Sequence, residues 1–290
     1  MKLPRSKKIS VIIPCFKVKN KILSVIKKIG KEVNDIYIVD DCCPENTGSY
    51  VKAVNKDKRI KIITNSKNMG VGQSTMNGFK QAFIIDKSDI CVKIDGDGQM
   101  NPKNIMKFCD PIIKNNSNYT KGNRFFFHKE FLKMPVIRMI GNLFLSIFGK
   151  ISTGQYSIFD VTNGFIAINR KTYMRINWKK ISKGFFFETD ILVALRLLKI
   201  KATDVFIKTR YFDEKSNLKI KKIFFEFLIK NILIFINRLK IEYIKKKKIK
   251  ICLLIINIPL SLILSIFNYE YFIMTIIMLI MFLYFDARKI

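Results

Sequence analysis

The residues best placed to do chemistry are two aspartates, Asp95 and Asp97, in the segment ICVKIDGDGQM (residues 90–100). A glycine follows each aspartate, and Gln99 continues the two-residue spacing. Carboxylates this close repel each other unless a cation lies beside them, and oxygen ligands of this kind suit Mg²⁺ or Mn²⁺. Alone, the segment is more typical of a solvated Asp-Gly turn. Its surroundings reverse that preference.

The surroundings are alternating predicted strands and helices. The run 90–94 is β-branched and ends at glycines, so it predicts a strand with both aspartates at its carboxyl end. Further strands are predicted at residues 9–13, closed by Pro14, and at 35–39, 60–63, 119–122, 161–169 and 203–209. Predicted helices cover residues 19–29, 49–55, 73–85, 131–148 and 184–199, with another opened by Pro102.

This order predicts an α/β fold with a mostly parallel sheet. Asp40, the polar loop at residues 68–72, and the Asp95/Asp97 pair then all fall at strand carboxyl ends. Open α/β sheets bind ligands at that edge. The sequence therefore predicts one site there rather than scattered acidic residues.

The composition points to a membrane and an anionic partner. The chain has 53 Lys and Arg against 22 Asp and Glu, a formal net charge of +31, and 49% hydrophobic residues. Nucleic acid and an anionic membrane surface both suit that charge, but no recognition-helix, zinc-finger or RRM pattern is present. Six cysteines without a C-x-x-C pair, and a single histidine, argue against a zinc site.

The C-terminal segment has the pattern of a membrane anchor. Residues 223–239 read as an amphipathic interfacial helix, and a lysine run follows at 245–248. Residues 251–285 are nearly uncharged, and we interpret them as a transmembrane hairpin of 251–268 and 271–285. Basic residues on both sides predict that the N-terminal α/β domain and both termini are cytosolic, at the inner (cytoplasmic) membrane. A re-entrant segment bent at Pro259 is the alternative.

Eight motifs in order resemble one family. They are VIIPCFKVKNKI, YIVDDCCPENTG, NMGVGQSTMNGF, KIDGDGQMNP, GNRF, FDVTNGFIAINR, FFFETD and TRYFDEKSNLK. This set resembles the inverting GT-A glycosyltransferases of family 2, and within it the polyprenyl-phosphate sugar transferases. The resemblance implies a Rossmann-like GT-A domain at residues 1–220, a basic interfacial helix at 221–249 and the hairpin at 250–290.

The resemblance also implies a donor site for a nucleotide sugar. Asp40 and Asp41 would bind the base and ribose, and Pro14 would shape the pocket floor. The metal on the diphosphate would be held by Asp95 and Asp97, assisted by Gln99. The remaining implied donor-binding residues are Asn68, Gly70 and Asp95 itself.

Two arginines and a serine are implied as phosphate-binding residues. Arg124 and Arg210 match family arginines that contact the donor diphosphate or an acceptor phosphate, a role that suits a planar guanidinium. Ser216, in the EKSNL segment, would join them.

The general base is left open among Asp160, Glu188 and Asp190. Acidic residues in a first helical turn also suit the helix dipole, so Glu188 and Asp190 have a structural alternative. A phosphomonoester has a second pKa of about 6 and is largely dianionic at pH 7, so it attacks without a base. A hydroxyl acceptor would need one.

The expected function is transfer of one sugar, with a UDP-hexose favoured as donor, to polyprenyl phosphate at the cytosolic membrane face. The first alternative is transfer to a lipid-linked saccharide or cell-surface glycan, and a remote one is a membrane-tethered nucleic-acid-binding protein. A dinucleotide oxidoreductase is disfavoured because the G-x-G-x-x-G series fails at Thr75. RYFDEKS in place of Q-x-x-R-W argues against a processive enzyme. The oligomeric state is open, with a homo-oligomer among the alternatives.

Overall fold

Seven strands form one sheet in this computed structural model, which describes residues 7–125, 136–208, 220–244, 249–265 and 270–288. The strand order is β3-β2-β1-β4-β6-β5-β7. The strands are β1 (Ile9–Cys15), β2 (Asp35–Asp40), β3 (Ile60–Thr64), β4 (Ile90–Lys93), β5 (Tyr119–Asn123), β6 (Ile166–Asn169) and β7 (Ala202–Phe206).

The predicted mostly parallel sheet is confirmed. Strands β1 to β4 pair parallel, β5 pairs parallel with β7, and β6 runs antiparallel between β4 and β5. The strand predicted at residues 161–169 was too long, because the ladder begins only at Ile166 and residues 161–165 form turns and loop. Within that stretch Thr162 accepts from Arg124, and Gly164 lies against Lys93.

Helices lie on both faces of the sheet and bury two apolar layers. The strands β1, β2 and β4 are buried along almost their whole length, which their β-branched composition anticipates. The helices are α1 (Lys19–Ile26), α2 (Thr47–Val54), α3 (Val71–Lys80), α4 (Ile105–Ile113), α5 (Val136–Thr153), α6 (Arg170–Arg175), α7 (Phe187–Leu197), α8 (Ile220–Leu239), α9 (Ile249–Leu264) and α10 (Glu270–Ala287).

Two of the predicted boundaries that differ from the structure have a local explanation. Pro14 was expected to close β1, but the strand continues to Cys15. Strand β4 pairs with β1 only as far as Ile12, so the missing N–H of Pro14 loses no bond to that neighbour. The helix predicted at residues 73–85 is α3, which begins at Val71 and passes into a π-helical turn, Gln81–Ile85.

The C-terminal segment forms two helices that pack against each other. The hydroxyl of Thr275 on α10 donates to Ser261 Oγ on α9 at 2.8 Å. Among the described residues, only α10 is long and apolar enough to cross a membrane, and the apolar part of α9, Leu253–Leu262, is shorter. Paired helices are therefore found where a hairpin was predicted, and membrane crossing by both stays a prediction.

A buried network of charged side chains joins the last helices to α7, which packs on the sheet. Arg238 of α8 contacts Asp286 of α10 at 2.8 Å and Glu242 at 3.0 Å. Arg196 of α7 contacts the same two carboxylates at 3.1 and 3.0 Å, and the hydroxyl of Tyr243 donates to Asp286. Two guanidinium groups therefore neutralise two carboxylates where three parts of the chain meet.

We expect Arg238→Met to lower the melting temperature of the detergent-solubilised protein strongly. It leaves Glu242 and Asp286 with one guanidinium between them in a buried site, and breaking such a network costs about 3–5 kcal/mol. The matched control is Lys230→Met, because Lys230 pairs with Glu226 at the surface of the same helix, at 2.6 Å. That change should cost less than about 1 kcal/mol. Similar melting temperatures for the two variants would contradict this assignment.

Candidate active site

The carboxyl ends of three neighbouring strands carry the predicted donor-site residues. Pro14 precedes the last residue of β1, Asp40 ends β2, and Asp95 follows β4 by two residues. Strand β1 lies between β2 and β4, and Cys15 is in register with Asp40. The parallel sheet therefore brings these residues to one edge, as the sequence predicted.

Asp40 and Asp41 organise the loops around this edge. Asp40 accepts hydrogen bonds from the backbone N–H of Cys43 at 2.7 Å and of Gly48 at 2.6 Å. Asp41 accepts three hydrogen bonds of 2.8 Å each. They come from the backbone N–H groups of Met69 and Gly70 and from the side-chain amide of Asn65. Both carboxylates are buried. Their role in binding a base and ribose stays a prediction, and the contacts shown hold the loops at this edge of the sheet in place.

The loop at residues 68–72 closes against a second segment. Gly70 has a φ of +89°, and a Cβ there would lie 2.8 Å from the carbonyl oxygen of Lys183. The N–H of Gln73 donates to that same carbonyl at 2.9 Å. Asn68 is exposed on this loop. The start of α3 is thereby held against residues 182–187, which lead into α7.

A buried lysine joins the first aspartate of the pair to a distant glutamate. Lys93 Nζ lies 2.6 Å from Asp95 Oδ1 and 3.3 Å from Glu188 Oε1, and the Lys93 side chain is 2% exposed. A Cβ on Gly164 would meet the Lys93 ammonium and would lie 2.9 Å from both carboxylates. Glycine at 164 is therefore required for the close approach of these three groups.

Asp97 has a carboxylate that a nearby cation would stabilise. The backbone N–H of Gln99 donates to Asp97 Oδ1 at 3.0 Å. Burial, and then the negative charge of Asp95, raise the pKa of Asp97 above its usual range. Among the described residues no group of three or more His, Cys, Asp or Glu side chains is placed to hold a metal ion by itself. The carboxylates of Asp95 and Asp97 offer hard oxygen ligands, which fit Mg²⁺ or Mn²⁺ held by one or two carboxylates together with substrate phosphates.

Asp160 forms a bidentate pair with Arg124. The two Asp160 oxygens accept from Arg124 Nε at 2.7 Å and Nη2 at 2.9 Å, and Nη2 also donates to Thr162 Oγ1. Burial alone would raise the pKa of the fully buried Asp160, but the charge and hydrogen bonds of Arg124 outweigh it and lower the pKa. In this arrangement Asp160 positions Arg124 and is a weak proton acceptor.

A second lysine, Lys121, lies buried between the two ion pairs. Its ammonium donates to the backbone carbonyl of Asn163. Burial lowers its pKa, and the nearby Glu188 and Asp160 oppose that effect. The site therefore rests on a layer of buried charged side chains that join β4, β5, α7 and the loop before β6.

The remaining predicted site residues are placed differently. Asp190 lies in the first turn of α7 and accepts from the N–H of Ser182 at 2.8 Å, and burial raises its pKa. It supports the 182–187 segment rather than joining the Lys93 pair. Arg210 and Ser216 lie outside the described residues.

Three site residues were not predicted from the sequence, namely Lys93, Lys121 and Gly164. A signal was present for the lysines, because each interrupts an apolar or small-residue strand at a position that the sheet buries completely. Gly164 follows Asn163 in the motif FDVTNGF, where glycine marks a close approach of other groups.

A model of "Glycosyl transferase family 2" matches residues 10–176, and the chain belongs to this family. It is 29% identical over 219 residues to the UDP-N-acetylglucosamine–dolichyl-phosphate N-acetylglucosaminyltransferase of Methanococcus voltae, covering 71% of this chain and 86% of that one. It is 26% identical over 222 residues to the dolichol-phosphate mannosyltransferase of Pyrococcus furiosus, covering 75% of this chain and 61% of that one. The protein is a glycosyltransferase that uses a nucleotide sugar.

Solved structures confirm the fold. Glucosyl-3-phosphoglycerate synthase from Mycobacterium tuberculosis, in complex with Mn²⁺, UDP-glucose and phosphoglyceric acid, superposes with a TM-score of 0.57 at 14% identity, covering 80% of this chain and 79% of that one. The same enzyme with Mg²⁺ and UDP also gives 0.57 at 14% identity, with 78% and 79% covered. At this identity the likeness concerns the fold alone.

We expect Gly164→Ala to reduce kcat/KM for sugar transfer by roughly 10- to 100-fold, because the added methyl group displaces Lys93 from Asp95 and Glu188. The control is Gly141→Ala in α5, where a Cβ meets nothing within 4 Å. That change should leave transfer unaltered and stabilise the helix by about 0.5–1 kcal/mol. Wild-type turnover by Gly164→Ala would rule out the tight packing described here.

Asp204 predicts a measurable dependence of stability on pH. It accepts hydrogen bonds from Asn123 at 2.7 Å and from the N–H of Phe159 at 3.0 Å, while its Oδ1 is buried without a partner. Burial, opposed by these two bonds, raises its pKa to about 6. Because the folded state then binds the proton more tightly than the unfolded chain, this group's contribution falls as pH rises from about 4 to 6.

Asp204→Asn should therefore stabilise the protein at pH 8 by on the order of 1–2 kcal/mol and flatten the pH dependence between pH 4 and 7. The asparagine oxygen still accepts both hydrogen bonds. Thermal unfolding of wild type and variant across this range measures the difference. A variant that is less stable than wild type at pH 8 would contradict the assignment.

Proposed function

We propose that this protein transfers a single hexose from a UDP-sugar, with inversion and with Mg²⁺ or Mn²⁺, to polyprenyl phosphate at the cytosolic face of the membrane. The observation that carries the choice of acceptor is the state of the carboxylates around the site. Glu188 is held against Lys93, and Asp160 is buried against Arg124. A phosphate acceptor needs no carboxylate base, because it is already ionised at neutral pH.

The donor end of the proposal rests on Asp95 and Asp97. Their spacing, and the repulsion and burial that raise the pKa of Asp97, favour a cation between them and the diphosphate. The metal supplies positive charge for the diphosphate leaving group. Lys93 keeps Asp95 in place, and Arg124, oriented by Asp160, lies just past the carboxyl end of β5 to receive phosphate oxygens.

The acceptor end rests on the surface beside the site and on the relatives. Helices α5 and α8 pack side by side and expose apolar side chains, namely Ile140, Leu143, Phe144, Ile147, Ile229, Ile232, Leu233 and Ile236. Helix α10 has the length and composition of a membrane span. Two relatives are named for transfer to dolichyl or dolichol phosphate. A membrane surface would bring a long-chain polyprenyl phosphate to this protein.

The test is a transfer assay with the full chain in detergent, using UDP- and GDP-sugars, Mg²⁺ or Mn²⁺, and either undecaprenyl phosphate or undecaprenol. We expect glycolipid only with the phosphate, an anomeric configuration opposite to that of the donor, and loss of product with EDTA or in Asp97→Asn. Since one metal-coordinating carboxylate is removed, kcat/KM should fall about 100-fold or more.

Glu188→Gln separates the acceptor classes in the same assay. For a phosphate acceptor, the variant should keep a pH profile of the same shape, with a reduced rate from the weakened Lys93 contact. If the preferred acceptor is a glycan hydroxyl, Glu188→Gln should be as damaging as Asp97→Asn, and the acceptor proposal fails. Failure of every UDP- or GDP-sugar to bind would overturn the donor site as well.

A further inference from the structure

A cavity of about 290 Å³ lies at the amino edge of the sheet, away from Asp95 and Asp97. It is formed by the first residues of β7, the end of α7 and the segment after α5, and its lining includes Gln155, Ser157, Lys199 and Lys201. Because one water occupies about 30 Å³ of liquid, the cavity has room for a phosphate group and several waters.

The buried side chain of Gln155 lacks the partner that its burial calls for. Gln155 is 1% exposed, and its Nε2 amide group has no hydrogen-bond partner. Its Oε1 receives only a long bond, 3.4 Å, from Ser157. An unpaired buried donor is unfavourable by about 1–3 kcal/mol. The site is therefore short of an acceptor group, and a bound ligand would supply one.

The charges around the cavity favour an anionic ligand. Lys199 and Lys201 are exposed at its rim, and Arg196 contributes to its wall. No carboxylate belongs to the lining formed by the described part of the chain. The guanidinium of Arg196 is already engaged with Glu242 and Asp286, so the side-chain donors left for a ligand are the Gln155 amide, the two lysines and the hydroxyl groups of Ser157 and Thr203.

The cavity shares a wall with the buried charge network of Arg196, Arg238, Glu242 and Asp286. Side chains of the segment after α5 contact the cavity and the charge network in turn. Gln155 and Ser157 line the cavity, and the hydroxyl of Tyr156 between them donates to Asp286 at 2.9 Å. Gly154, just before, accepts from Arg196 at 2.8 Å. Binding in the cavity would therefore stabilise the junction between the catalytic domain and α10.

We propose that this cavity binds a phosphate-bearing anion, through Gln155 Nε2, Lys199 and Lys201, and that the bound anion stabilises the junction. The same chemistry has two sources, a soluble phosphate or the phosphate of an anionic lipid headgroup. A lipid headgroup would lie near the cavity, because the charge network includes the last turn of α10, the helix with the length and composition to span a membrane.

The test is thermal unfolding of the full chain, at constant ionic strength and with EDTA present to disable metal-dependent diphosphate binding. One arm compares inorganic phosphate with chloride in detergent. The other compares phosphatidylcholine nanodiscs with and without phosphatidylglycerol. The melting temperature should rise by roughly 2 to 5 °C at an anion concentration about ten times the Kd. A rise in the first arm identifies free phosphate as a ligand, and a rise only in the second identifies the headgroup.

Gln155→Leu should abolish the rise without destabilising the chloride form, because a near-isosteric apolar side chain replaces an unpaired donor. Lys201→Ala should reduce the rise, and it decides the outcome if Gln155→Leu fails to fold. Lys52→Ala, which removes an exposed lysine on α2, is the control and should leave the rise unchanged. A rise that survives in both cavity variants, or no rise in either arm, overturns the proposal.

Discussion

The site depends on one buried ammonium group, that of Lys93, held between Asp95 and Glu188. Removing the charges of Lys93 and Glu188 from water is unfavourable unless their attraction to each other and to the half-buried Asp95 is strong and the geometry is good. Strand β4 delivers Lys93 and Asp95 together, helix α7 delivers Glu188, and Gly164 leaves the space in which they meet. Displacement of β4 or α7 separates the buried Lys93 from Glu188. Strand β4, helix α7 and the loop before β6 are therefore fixed relative to each other.

Backbone N–H groups, rather than a lysine, stabilise the carboxylates of Asp40 and Asp41. Asp40 and Asp41 are satisfied by the turn before α2 and by the loop before α3, so the carboxyl edge of the sheet is already shaped before a nucleotide binds. Asp97 is different, because burial and Asp95 oppose its charge. The edge thus combines carboxylates that are fully engaged with one that an added cation would stabilise.

The second buried network has a different role. Arg196, Arg238, Glu242 and Asp286 lie where α7, α8 and α10 meet, and they link the sheet to the helix that has the length of a membrane span. A charged junction of this kind specifies one geometry, because an apolar contact tolerates sliding and a bidentate guanidinium contact does not. The apolar faces of α5 and α8 lie next to it. The position of α10 is thereby coupled to that of α7, which carries Glu188.

The sequence alone determined the alternation of strands and helices and the position of Asp40, Asp95 and Asp97 at one edge, because β-branched runs, glycines and prolines act on their immediate neighbours. It misjudged the start of β6 and gave no role to Lys93, which meets Glu188 95 residues away. The apolar strand around Lys93 marks it as a candidate for burial, but among 53 lysines and arginines no local pattern tells which carboxylate it will meet. Only the tertiary structure decided that, since a charge enters the interior only where folding brings an opposite charge to meet it.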